Sequence, residues 1–156
     1  MKTLILYATK HGAAKAIAER IAERIPGSTV HDLKDSGLPP VSQFDCVVIG
    51  SSIYAGAIRK EAKAFLAQNA AALRGIRFGL YLSGMDASRE KDFFEANVSP
   101  EILQAAAVKS FIGGVFDPKK AGFMERLIMK MVAKQSSYSD TISDEKIKHF
   151  AEAMKR

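Results

Sequence analysis

The chain has 156 residues, 47% of them hydrophobic and 26% charged, the composition of a folded globular chain rather than a disordered one. Its formal net charge of +6 bears on partners and not on fold, and suits nucleic acid, an anionic membrane surface or a small anion. One cysteine, Cys46, excludes an intramolecular disulfide, and no uncharged apolar run has the length needed to span a bilayer.

Residues 3–8, TLILYA, read as a fully buried strand: short, apolar and bounded by a turn. No small-residue cleavage site follows them, so the start of the chain reads as a strand and not as a signal peptide. With the single cysteine, that sets the expectation of a cytoplasmic protein. Next, Ala14, Ile17, Ala18, Ile21, Ala22 and Ile25 fall at helical spacing, with Lys15, Glu19, Arg20 and Glu23 opposite. Pro26-Gly27 ends that helix. STVHDL (28–33) is a more polar strand suited to a sheet edge, and 34–44 is loop, marked by Gly37 and Pro39-Pro40.

DCVVIGSS (45–52) is a second buried strand, in which Cys46 reads as a small hydrophobe. A helix is expected from about Ile58 to Leu73, a buried strand at 77–84, and helix over 88–106, broken near Ser99-Pro100. AVKSFIGGVF (107–116) reads as a fifth strand. Met124, Leu127, Ile128, Met131 and Val132 trace one face of a further helix, and a last amphipathic helix covers about 143–154. Strands that alternate with helices, and are continuously apolar, predict an α/β fold: a doubly wound, five-stranded parallel sheet in a three-layer sandwich. Residues 1–156 are read as a single domain.

Ligands of such a sheet sit beyond the carboxyl ends of its strands. The informative stretches are therefore ATKHGAAK, SSIYAG, SGMDAS and GGVFD. The first has neither a P-loop pattern nor the glycine fingerprint of dinucleotide binding. Receiver-domain carboxylates are absent from the ends of the first and third strands. His11, His31 and His149 are too scattered in sequence to suggest zinc, and no Ser-His-Asp arrangement is evident. What the first turn does suit is an anion at a helix N-terminus, with Gly12 allowing close approach, Thr9 a hydroxyl, and Lys10 and Lys15 charge. The plainer alternative, Thr9 capping the helix with both lysines in water, is not separated from it by spacing alone.

LILYATKHGAAKAIAERIA resembles the first strand, phosphate loop and helix of flavodoxins, which bind FMN at a Ser/Thr-x-Ser/Thr-Gly-x-Ser/Thr loop. VVIGSSIYAGAIRKEAKAFL and MERLIMKMVAKQ look like segments of the flavodoxin-like, menaquinone-dependent protoporphyrinogen oxidases of bacteria. The resemblance implies strand order 2-1-3-4-5. It implies a phosphate loop of Thr9, Lys10, His11, Gly12, Ala13 and Ala14, and flavin loops of Ser51, Ser52, Ile53, Tyr54, Ala55 and Gly56 and of Ser83, Gly84, Met85 and Asp86. Tyr54 would stack on the ring, and Asp86 reads as a helix cap. No catalytic acid or base and no metal is implied.

Two departures stand out. His11 and Ala14 replace hydroxyl residues of the phosphate loop. The stretch SREKDFFEANVSPEILQ is shorter and less basic than the insertion of the oxidases. The function implied is an FMN oxidoreductase that oxidises protoporphyrinogen and passes electrons to a quinone. The alternatives are a non-catalytic FMN carrier docking on redox proteins and an interaction module without flavin. No nucleic acid is expected, and a homo-oligomer stays open. Lys119, Lys120, Arg126, Lys130 and Lys134 carry one further reading, peripheral contact with anionic lipid at the inner face of the membrane. Against it stands the expectation that the apolar face of their helix packs on the sheet while the lysines are solvated.

Overall fold

The computed structural model describes residues 1–132 and 137–156, so Lys134 of the basic stretch lies outside the described residues. In chain order the elements are β1 (Thr3–Ala8), α1 (Ala13–Arg24), β2 (Ser28–Asp32), β3 (Cys46–Tyr54), β4 (Ala57–Ile58), α2 (Lys60–Gln68), α3 (Ala70–Arg74), β5 (Arg77–Ser83), α4 (Glu90–Asn97), α5 (Pro100–Ala105), β6 (Val108–Phe111), β7 (Val115–Phe116), α6 (Phe123–Val132), β8 (Ser139–Asp140) and α7 (Asp144–Lys155).

Five strands form a parallel sheet in the order β2-β1-β3-β5-β6, and β4 adds an antiparallel pair to the end of β3. This is the expected 2-1-3-4-5 topology, renumbered by the two-residue β4. Both sheet faces are covered. Leu4, Leu6, Val47, Ile49, Leu80 and Leu82 pack against Ala62, Leu66, Leu73, Phe93, Phe94 and Ile102 of α2–α5. Ile5, Val48 and Tyr81 pack against Ile17, Ile21, Ile147, Phe150 and Met154 of α1 and α7. Strands buried on both faces have no polar face to show, which is why they read as unbroken apolar runs.

Register brings the strand ends together. Ala8 lies beside Ser51, and Ser52 beside Ser83, so the segments after β1, β3 and β5 emerge side by side at the carboxyl edge. The buried Tyr81 hydroxyl donates to the Ala14 carbonyl at 2.6 Å, tying the first turn of α1 to β5. Burial pushes the Tyr81 phenol well above its ordinary range, with Tyr7 adding to the effect, so it stays protonated and donates. The ring has room only because residue 50 is glycine: a Cβ there would lie 1.8 Å from Tyr81 Cζ.

Three expectations change. The helix expected over 58–73 is two helices, α2 and α3, meeting at Asn69, whose side chain donates to the Phe65 carbonyl at 2.9 Å. Competition by an Asn amide for helix carbonyls is a known helix-breaking effect. The fifth strand does not run to residue 116. It stops at Phe111, and after Gly113 (φ 115°) the chain restarts as β7, paired antiparallel with β8. A Cβ at Gly113 would lie 2.2 Å from the Thr141 carbonyl oxygen, so only glycine lets the two segments cross there.

The third change is the orientation of α6. Its Met124, Leu127 and Met131 do not pack on the sheet. They are exposed, with Phe123 beside them at 71% exposure. Among the described residues no helix is long and apolar enough to cross a membrane.

Gly50→Ala should cost about 1–3 kcal/mol of stability, the usual penalty for overpacking a filled core. Chemical denaturation measures it. A cost below about 0.5 kcal/mol would show that Tyr81 moves freely and does not pin α1.

Candidate functional site

A cleft of about 310 Å³ lies along the carboxyl edge of the sheet. Its floor is built by Thr9, Lys10, His11 and Ala13 after β1, by Ser52–Ala55 at the end of β3, and by Ser83–Met85 after β5. Gly114, Val115, Phe116 and Asp117 close one side, and Glu125, Ile128 and Met129 of α6 lie over it.

The first turn exposes its backbone donors. Gly12 caps α1 in the left-handed conformation (φ 101°, ψ −7°), and no side chain caps that helix end. Thr9 Oγ1 accepts from the Gly12 amide at 2.9 Å and so shapes the turn without reaching into α1. No acidic residue stands in the first turn of α1. Uncapped amides at the positive end of a helix, at the mouth of a cleft, favour an anion.

The second loop is a hairpin. Ala55 (φ 49°) and Gly56 (φ 81°) form a two-residue turn with positive φ at both positions, and Tyr54 pairs with Ala57 across it. Asn97 of α4 holds the turn: its Nδ2 donates to the Gly56 carbonyl at 2.9 Å and its Oδ1 accepts from the Ile58 amide at 3.1 Å. In the third segment, Gly84 donates its amide to the Gly113 carbonyl at 3.1 Å. A Cβ on Gly114 would lie 2.8 Å from the Gly84 carbonyl oxygen.

A family profile described as "Flavodoxin domain" matches residues 4–143. The chain belongs to the flavodoxin domain family. Among solved structures, the two-electron reduced flavodoxin of Megasphaera elsdenii is 16% identical with a TM-score of 0.61, and the match covers 97% of each chain. A flavodoxin from the domain Archaea is 16% identical with a TM-score of 0.54, over 100% of both chains. Rubredoxin oxygen:oxidoreductase from Desulfovibrio gigas is 15% identical with a TM-score of 0.59; the match covers 98% of this chain and only 35% of that one. At these identities the likeness concerns the fold. No curated protein matches the sequence.

FMN is the cofactor that flavodoxin membership brings, and three local observations fit it: the uncapped start of α1, a cleft of ligand size, and Ser52 Oγ, which is buried at the cleft without a hydrogen-bond partner. Of the residues expected at a site, Thr9, Lys10, His11, Ala13, Ser52, Ile53, Tyr54, Ala55, Ser83, Gly84 and Met85 line the cleft. Gly12, Ala14, Ser51, Gly56 and Asp86 do not. Ala14 is fully buried against the α7 side of the core. Ser51 Oγ accepts from the Arg59 amide at 2.9 Å. Asp86 precedes a 3-10 turn (Ala87–Arg89) without accepting a cap bond there.

Sequence reading saw the α6 helix and counted GGVFD among the ligand stretches, but assigned neither α6 nor the 114–117 strap to the flavin loops. GGVFD marked the strap, since a Gly pair breaks a strand. For Glu125 the signal was its isolation as the one acid among five cations between 119 and 134. Its carboxylate lies 2.5 Å from Lys10 Nζ and 2.6 Å from His11 Nε2, with 15% of its side chain exposed. Burial raises its pKa, but the bonds from Lys10 and His11 outweigh burial and hold it below the ordinary glutamate value. Lys10 Nζ also stands 3.6 Å from the centre of the Tyr54 ring, so one face of that ring carries a cation.

Two measurements follow from this geometry. Asn97→Ala should destabilise the chain by about 1–3 kcal/mol, since it strands the Gly56 carbonyl and the Ile58 amide. An unchanged denaturation midpoint would mean that water replaces both bonds. A carboxylate whose pKa is depressed by folding stabilises above its unfolded value and loses that contribution as pH falls through the folded one. Protection of α6 amides, taken relative to the intrinsic exchange rate at each pH, should therefore fall in acid for the wild type and already be low at neutral pH for Glu125→Gln. Equal α6 protection in both proteins at neutral pH would show that Glu125 does not hold the helix.

Proposed function

We propose that this chain binds FMN in the cleft and works as a flavin electron-transfer protein. The observation that carries the reading is the uncapped start of α1, opening beside Lys10 and His11 into a cleft with apolar walls. The phosphate would take the amides of the turn 9–14. The ring would lie between Ser51–Gly56 and Ser83–Asp86, with Ser52 Oγ and backbone groups of both segments at its polar edge. Tyr54 would stack on the ring through whichever face Lys10 leaves bare. Bound FMN supplies one- and two-electron transfer. The protein's part is to hold the cofactor and to shield it with Phe116, Ile128 and Met129, which line the cleft.

Those three side chains also favour an apolar electron partner, and a quinone is the partner of that kind proposed here. Oxidation of protoporphyrinogen is the finer reading and has less behind it. Residues 90–105 are folded as α4 and α5, with Phe93, Phe94, Val98 and Ile102 buried on the sheet, and do not form a basic loop. Chain 1–156 is taken as one domain, and a reducing cytoplasm suits its buried lone thiol.

Purified protein should show a flavin absorption spectrum, or should quench FMN fluorescence on titration after the flavin is stripped. Gly12→Val should weaken that binding about tenfold or more, because a side chain at φ 101° costs about 1–2 kcal/mol and drives the turn out of shape. A colourless protein that takes up no FMN overturns the proposal. Given flavin, protoporphyrinogen with a menaquinone analogue decides the finer reading: turnover marks an oxidase, and its absence leaves an electron carrier.

A further inference from the structure

Helix α6 belongs to neither layer that sandwiches the sheet. At about 100° per residue its side chains divide into three arcs. Glu125, Ile128 and Met129 point to the cleft. Phe123, Met124, Leu127 and Met131 share an outward arc and are 71%, 59%, 40% and 72% exposed. Arg126 and Lys130, both exposed, flank that arc on one side, and exposed Lys119 and Lys120 precede the helix.

Four large apolar side chains in water are unfavourable unless something covers them. Charge limits what that is. Between 118 and 131 the one carboxylate, Glu125, is turned inward, ion-paired with Lys10 and hydrogen-bonded to His11. The outward surface thus combines a bare apolar row with three cations, Lys119, Arg126 and Lys130, and no exposed acid between 118 and 131, while Lys120 stands at the cleft. A second copy meeting it across a two-fold axis would set cations against cations. A row of Phe, Met and Leu bordered by Lys and Arg is the form of a helix lying in a lipid interface.

We infer that the outward face of α6 docks on an anionic lipid surface. Phe123, Met124, Leu127 and Met131 enter the boundary between headgroups and acyl chains, and Lys119, Arg126 and Lys130 meet the lipid phosphates. Docking in this orientation leaves Ile128 and Met129 facing the cleft, so α6 lies between the cleft and the lipid. The inference does not depend on flavin being bound.

The test uses the full chain and sedimentation with phosphatidylcholine vesicles, with and without phosphatidylglycerol. Wild-type protein should sediment with the anionic vesicles only, and less so as salt rises. Arg126→Glu/Lys130→Glu should lower binding more than the roughly 25-fold expected from losing two cations at about fivefold each. Phe123→Ser/Met131→Ser should abolish it. Both pairs are surface positions, so circular dichroism should show an unchanged fold. Arg24→Glu, at the far end of α1 from the cleft, should bind as the wild type does. No binding to anionic vesicles overturns the inference, as does binding that both double variants retain. A concentration-dependent dimer that Phe123→Ser/Met131→Ser abolishes, with no vesicle binding, overturns it in favour of a second copy. Retention only by an acidic protein partner overturns it likewise.

Discussion

The cleft depends on one constraint, that α1 begins uncapped at the carboxyl edge of the sheet and is held there. A helix end with free amides is unstable in isolation and needs something to fix its position. Here Tyr81 reaches from β5 beneath the sheet to the Ala14 carbonyl, through a gap left by the missing side chain of Gly50. Ala14, Ile17, Ala18 and Ile21 then bury the inner face of α1 completely. Packing fixes the helix from within, and its first amides stay free to face a ligand.

Charge is arranged around the same point. Lys10 and His11 sit beside free amides at the positive end of a helix, which concentrates positive potential in the turn. Glu125 offsets it from α6, and Lys10 spreads its charge over the Tyr54 ring. One ion-paired cluster thus joins the turn after β1, the hairpin after β3 and the helix above the cleft. Turning its only carboxylate inward is also what leaves the outer surface of α6 wholly cationic and apolar.

How far the sequence could be read follows from where burial acts. Strands covered on both faces leave a strong apolar signature, so β1, β3 and β5 were legible, as were the stretches just past their ends, while their order in the sheet came from the resemblance. GGVFD was marked as a ligand stretch, but its break from the fifth strand was not seen, because two glycines inside an apolar run look like strand until a crossing segment such as Thr141 shows why they are there. The Ala55-Gly56 hairpin was hidden by Ala55, since alanine seldom takes positive φ and does not announce a turn. For α6, periodicity revealed a helix with an apolar face but could not say which way that face turns. The deciding interaction, Glu125 with Lys10 and His11, spans more than 110 residues of chain.

The two replaced hydroxyls of the phosphate loop look different once placed. Ala14 is fully buried in the core, so that position serves the packing of α1, and a lost hydroxyl there is a smaller change than the motif suggests. His11 has taken a new task, pairing with Glu125. An anion brought to the turn would draw on Lys10 and His11, the groups that also hold α6, and each partner must lower the other's hold on them. By linkage, whatever loosens Glu125 favours the anion to the same degree that the anion loosens α6. A loop with hydroxyls in those positions would hold its phosphate without reference to any helix above it. In this chain Lys10 and His11, which pair with Glu125, stand in the same turn, so an anion placed there would share them with α6.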